Sequence, residues 1–166
     1  MSAPFSCRRE FFIAYSRAHA YLCKAASVSV TYKFEFPGDP RLLCVMRKAV
    51  ELCSHLTGFS DELCRSLTLA VDEALSNIIR HAYGGNADQP IEMVFRRADE
   101  RVEFILTDSG READLERLQP KPPDELRPGG RGVHFIREIM DEVEYQRLPG
   151  QNRLRLVKYR PSSTGL

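Results

Sequence analysis

The chain has 166 residues, with 24 Lys+Arg against 23 Asp+Glu and a formal net charge of +1. Its 43% hydrophobic and 28% charged content fits one ordinary globular domain, which at this length buries roughly two-thirds of its unfolded surface without a disulfide or metal staple. The balance of charge argues against a general pull toward nucleic acid or acidic membranes, and no apolar run approaches the ~20 residues that span a bilayer.

Residues 1–27 read as a leader. Arg8 and Arg9 precede Phe11-Phe12-Ile13, but Ser16, Arg17 and His19 break the apolar stretch too early for a secretory signal, so export is not expected. Phe11, Phe12, Tyr15, Ala18 and Leu22 recur at helical spacing, compatible with a short amphipathic helix or a poorly ordered arm. Cys7, Cys23, Cys44, Cys53 and Cys64 are odd in number and form no CxxC pair, so neither a disulfide framework nor a cysteine zinc site is expected. Reduced thiols used as small apolar residues point to a cytoplasmic setting.

From Val28 the pattern has period two: Val28, Val30, Tyr32, Phe34 and Phe36 alternate with polar residues, as in a half-buried strand. Pro37-Gly38-Asp39-Pro40 ends it. Asp39 is an N-cap and Pro40 a first helical residue, for a helix to about Thr57 stopped by Gly58. Ser60 caps a second helix with Asp61 and Glu62 in its first turn, predicted to run to Tyr83, where Gly84-Gly85-Asn86 ends it. Strands follow at Ile91–Arg96 and Val102–Thr107. The stretch 109–130 is proline-rich and charged, longer than most connections. A helix then opens near Gly130. A hairpin, Val143–Arg147 and Arg153–Tyr159, turns across Pro149-Gly150-Gln151-Asn152 and closes the domain at about residue 160, leaving 161–166 as a tail. The order predicts an α+β two-layer sandwich, a mixed but mostly antiparallel sheet with helices on one face.

Three motifs carry chemistry. On the second helix, Glu73 and Asn77 are four apart and share the edge of the apolar face. The amide oxygen is a hard ligand suited to Mg²⁺ and the carboxylate can act as a base, although the pair also reads as an ordinary solvated Glu and Asn. Asp108-Ser109-Gly110 ends a strand, where a carboxylate can accept from an exocyclic amine, or where a plain turn can form. Gly129-Gly130-Arg131-Gly132 opens a helix. Its N–H groups and helix dipole suit phosphate, while a glycine-rich linker explains the same residues.

In this order the motifs resemble the GHKL, or Bergerat, ATP-binding fold, and within it the anti-sigma factor serine/threonine kinases of the RsbW type. VDEALSNIIRHAY is similar to the N box, DSG to the adenine-contacting box, and GGRGVHFIREIMDEVEY to the phosphate-lid box and its helix. The resemblance covers about Val28 to Tyr159. It implies ATP and Mg²⁺, with Glu73 as general base, Asn77 holding the metal and Asp108 reading the adenine amino group. Gly110 would admit the base, and Gly130, Arg131 and Gly132 would hold the phosphates under a lid at about 109–130. It also matches Arg47, on the first helix, to an arginine the family uses near its protein partner; a solvated helix charge is the other reading. One departure stands out: Arg111-Glu112-Ala113-Asp114 follows Gly110, where the family usually has a small or apolar residue and then an aromatic.

The implied function is an ATP-dependent kinase that sequesters a sigma factor and phosphorylates an anti-sigma factor antagonist of STAS type. A homodimer is expected, and no direct contact with nucleic acid or membrane. A non-catalytic ATP-binding module, whose nucleotide state gates a protein–protein contact, is the competing reading. His81 reads as structural. Arg153, Arg155, Lys158 and Arg160 read as a solvated basic strand.

Overall fold

The computed structural model describes residues 29–98, 100–112 and 131–160, with residue 131 by its backbone alone. The leader, the tail, Gly130 and the stretch 113–130 of the expected lid lie outside the described residues.

Strand β1 spans Val30–Pro37. It is an edge strand, and Tyr32, read as inward-facing, is 43% exposed and stacks on Phe95 with ring centroids 6.2 Å apart. Asp39 accepts from the Arg41 N–H at 2.9 Å and caps a short 3₁₀ turn, Pro40–Leu42, which leads into α1, Leu43–His55. Gly58, at φ 79°, ends the turn after it, as expected. Ser60 accepts from the Leu63 N–H at 3.3 Å and caps α2, Asp61–Asn77.

The second helix departs from its predicted course. Regular α geometry ends at Asn77, and Ile78–Ala82 form a wider π turn in which the Tyr83 N–H donates to the Ile78 carbonyl at 3.0 Å. The Ala82 carbonyl does not continue a helix. It accepts from the Arg111 N–H at 2.9 Å, so the helix end is fastened to the segment after the third strand. Such π turns often mark functional sites.

Strands β2, Pro90–Ala98, and β3, Arg101–Asp108, form a hairpin. Helix α3, Arg131–Ile139, precedes the closing hairpin of β4, Glu142–Leu148, and β5, Gln151–Tyr159. The sheet order is β1-β2-β3-β5-β4. All four pairings are antiparallel, so the parallel contribution expected of a mixed sheet is missing among the described residues. Helix α2 packs against both α1 and α3. Between helices and sheet lies an apolar core that includes Leu67, Val71, Leu75, Phe95, Phe104, Leu106 and Leu156.

The basic run on β5 is less solvated than its composition implies. Arg155 reaches Glu103 at 2.9 Å, Glu142 at 2.8 Å and Glu144 at 3.1 Å, and Lys158 reaches Asp141 at 2.8 Å. Those charges are matched within the sheet. Among the described residues no helix is long and apolar enough to cross a membrane. Cys44, Cys53 and Cys64 are free thiols.

Candidate nucleotide site

A cavity of about 310 Å³ opens between α2, the end of β3, α3 and the β4–β5 hairpin. Its walls are largely apolar: Ile78 from the π turn, Val133 and Ile136 from α3, Val143 from β4 and Leu154 from β5. Asn77 and Asp108 both line it, so two of the predicted site residues meet in one place.

Asp108 is the last residue of β3, and its side chain is on the core face with Phe104 and Leu106. It is 6% exposed, and burial raises its carboxyl above the ordinary value. The Asn152 amide, the Gly110 N–H and the charge of Arg147 pull the other way. Among the described residues both hydrogen bonds to this carboxylate fall on Oδ1: Asn152 Nδ2 donates at 2.7 Å and the Gly110 N–H at 2.8 Å. Asp108 lines the cavity, and none of the hydrogen bonds among the described residues falls on its Oδ2.

Glu73 and Asn77 are half-buried, at the rim that their spacing predicts. Asn77 lines the cavity; Glu73, one turn earlier, does not. The Glu73 carboxylate pairs with Arg80 Nη2 at 3.3 Å and lies against the start of α3. A Cβ on Gly132 would fall on that carboxylate and within 2.7 Å of its Cγ. The second and third motifs are thus brought into contact with the first. Arg131 is the first residue of α3.

Gly110 serves packing. A Cβ there would come within 2.6 Å of the Ala82 carbonyl oxygen, so only glycine lets the chain pass this close to the π turn. Arg47 sits away from the cavity, half-exposed on α1, and donates to Asp72 on α2 at 3.1 Å and 3.2 Å. His81 is exposed and lines the cavity, beside the residues that the motifs single out.

Sequence reasoning missed the residues that hold Asp108. Asn152, assigned to a turn, is the second residue of β5 and 3% exposed. It sits opposite Asp108 on one side and Arg147 on the other. Its Oδ1 accepts from Arg147 Nη1 at 2.6 Å and from the Tyr145 hydroxyl. The missed signal was parity. With Gly150 in the turn at φ 76°, Asn152, Leu154 and Leu156 share one face of a strand.

A family model, the histidine kinase-like ATPase domain, matches residues 36–158. The chain is 30% identical over 120 residues to a serine-protein kinase RsbW of Oceanobacillus iheyensis, covering 68% of this chain and 76% of that one. It is 33% identical over 105 residues to the serine/threonine-protein kinase BtrW of Bordetella bronchiseptica, covering 61% and 74%. The fold is similar to a chain of the SiaB–SiaC complex of Pseudomonas aeruginosa, with a TM-score of 0.59 at 15% identity, covering 90% of this chain and 99% of that one. The chain belongs to the histidine kinase-like ATPase family, among the anti-sigma factor serine kinases of the RsbW type.

Proposed function

We propose that this protein is an ATP-dependent serine/threonine protein kinase that also acts as an anti-sigma factor. It sequesters a sigma factor and phosphorylates a hydroxyl on a STAS-type antagonist. The observation that carries the ATP part is the buried Asp108 carboxylate at the wall of a largely apolar cavity that Asn77 also lines. Such a cavity accepts a flat base and offers an acceptor to its amino group. The partner roles rest on the RsbW-type relatives, and a cytoplasmic homodimer is expected on the same ground.

The site fits Mg²⁺ with nucleotide. Asn77 offers a hard amide oxygen at the cavity rim, and among the described residues no group of three or more His, Cys, Asp or Glu could hold a metal alone. The ion would take its other ligands from phosphate and water, and would neutralise phosphate charge during transfer. Gly130, Arg131 and Gly132 would offer backbone N–H groups to the phosphates. Glu73 would take the proton of the acceptor hydroxyl, and Arg80 orients that carboxylate. Arg47, tied to Asp72, would present its remaining N–H groups to a protein partner.

One observation favours the non-catalytic module instead: Glu73 lies outside the cavity lining and is engaged by Arg80. The two readings separate on transfer of labelled phosphate from Mg-ATP to a STAS-type antagonist. The kinase reading expects transfer that Glu73→Ala lowers by about 10²–10⁴, with ATP binding retained. Binding without transfer supports the module. Asn77→Ala should weaken Mg-ATP while sparing metal-free nucleotide; equal binding of wild type and variant in Mg²⁺ sinks the metal assignment.

A further inference from the structure

Asn152 is the most fully satisfied polar side chain at the site. Its Nδ2 donates to Asp108 Oδ1 at 2.7 Å, to the Arg111 carbonyl at 2.9 Å and to the Gly110 carbonyl at 3.4 Å. Its Oδ1 accepts from Arg147 and Tyr145. With only acceptors around the nitrogen and donors at the oxygen, the amide has one consistent orientation. Arg147 Nη1 also donates to the Gly110 carbonyl at 3.1 Å. Across β3, β5 and β4, register sets Asp108, Asn152 and Arg147 side by side.

We infer that Asn152, held by Arg147, is a positioning residue for base recognition: it pins Oδ1 of Asp108 and so presents Oδ2 to the cavity. The same amide ties down residues 110 and 111, the start of the segment where the family's usual aromatic is absent. A carboxylate on a single Cα–Cβ–Cγ stem can rotate, and a rotated carboxylate offers its acceptor in the wrong direction. Charge-assisted bonds inside a buried network resist that rotation more strongly than exposed ones. The inference rests on the reading of the cavity as an adenine nucleotide site. It adds that discrimination between bases depends on how the Asp108 carboxylate is held as well as on the carboxylate itself.

Asn152→Leu and Arg147→Met test this, the second because Arg147 is exposed and its loss spares the core. ATP and GTP are titrated separately into wild type and both variants, with thermal melting to confirm folding. GTP carries a carbonyl where ATP carries the amino group, so it gains nothing from a well-aimed acceptor. The expected result is ATP affinity at least tenfold lower in Asn152→Leu and about threefold to tenfold lower in Arg147→Met, with GTP affinity little changed. Equal losses for both nucleotides, or no loss in a folded variant, overturn the proposal. Amide hydrogen exchange at Gly110, measured without nucleotide, reads the tether by itself. Exchange should quicken in both variants, and unchanged protection overturns the proposal. A wild type that binds neither nucleotide sinks the nucleotide reading, and Gly110 exchange then still decides whether Asn152 pins Asp108.

Discussion

At the sheet end of the cavity, the buried Asp108 and Asn152 and the exposed Arg147 come from three adjacent strands and are joined by short hydrogen bonds. At the helix end, Glu73, Asn77 and Arg80 come from one helix and its π turn, are half-buried to exposed, and share one ion pair at 3.3 Å. The first arrangement is fixed by β-sheet register, which cannot shift by one residue without turning every side chain to the other face. The second can change by rotamer alone. On the proposed reading, base recognition belongs to the rigid part of the fold, and the groups assigned to phosphate chemistry sit where they can move.

The sharpest way to break this division is to damage each end separately. Asp108→Asn keeps the shape but replaces a charged acceptor, and should lower ATP affinity about 100-fold, in keeping with the loss of roughly 2–3 kcal/mol for a hydrogen bond to a charged group. Glu73→Gln should leave ATP affinity within about threefold of wild type while phosphate transfer falls. Calorimetric titration of both variants checks the pair; equal losses in affinity would erase the distinction between the two ends.

The two glycines sharpen it on the stability side. An added methyl at Gly110 meets backbone, the Ala82 carbonyl, which cannot step aside, whereas one at Gly132 meets the end of the flexible Glu73 side chain. Gly110→Ala should cost about 1–3 kcal/mol, lowering Tm by roughly 3–10 °C, and Gly132→Ala less than about 1 kcal/mol. Thermal melts showing Gly132→Ala as the more damaging change would mean that the helix end is the rigid one.

What was legible in the sequence follows the same line. Local signals fixed the element order: period two in Ile91–Arg96 and Val102–Thr107, the Ser60 cap, and the glycine stops at Gly58 and Gly84. The strands proved longer than read, by one or two residues at most ends. Glu73 and Asn77 stood out because an i,i+4 pair is visible in one segment. The π turn did not; its last residue, Ala82, meets Gly110 and Arg111, almost thirty residues on, and no local segment shows that contact. Asn152 did not because its partners lie on two other strands, and only register makes them neighbours. The same holds for the Asp72 partner of Arg47, on a different helix.

The smallest expected effect concerns pH, and here binding and folding should move in opposite directions. Burial raises the Asp108 carboxyl above its ordinary value against the pull of Asn152, Gly110 and Arg147. The folded protein thus holds this proton more tightly than the unfolded chain does. By linkage, ionised Asp108 costs stability above the raised pKa, and acidification through that pKa relieves the cost. Protonation also removes the charge from the acceptor that faces the cavity, so ATP affinity should fall over the same interval, beginning at a higher pH than for an exposed carboxylate. Asp108→Asn is the reference for both quantities, each measured in a background that carries His81→Asn and Glu112→Gln, since both of those side chains line the same cavity. The difference in unfolding free energy between the protein that keeps Asp108 and its Asp108→Asn variant should shift in favour of Asp108 as the pH falls, while their difference in ATP affinity narrows. If both quantities fell together, Asp108 would be a paired carboxylate whose charge supports the fold, and its place as the rigid recognition group would be lost.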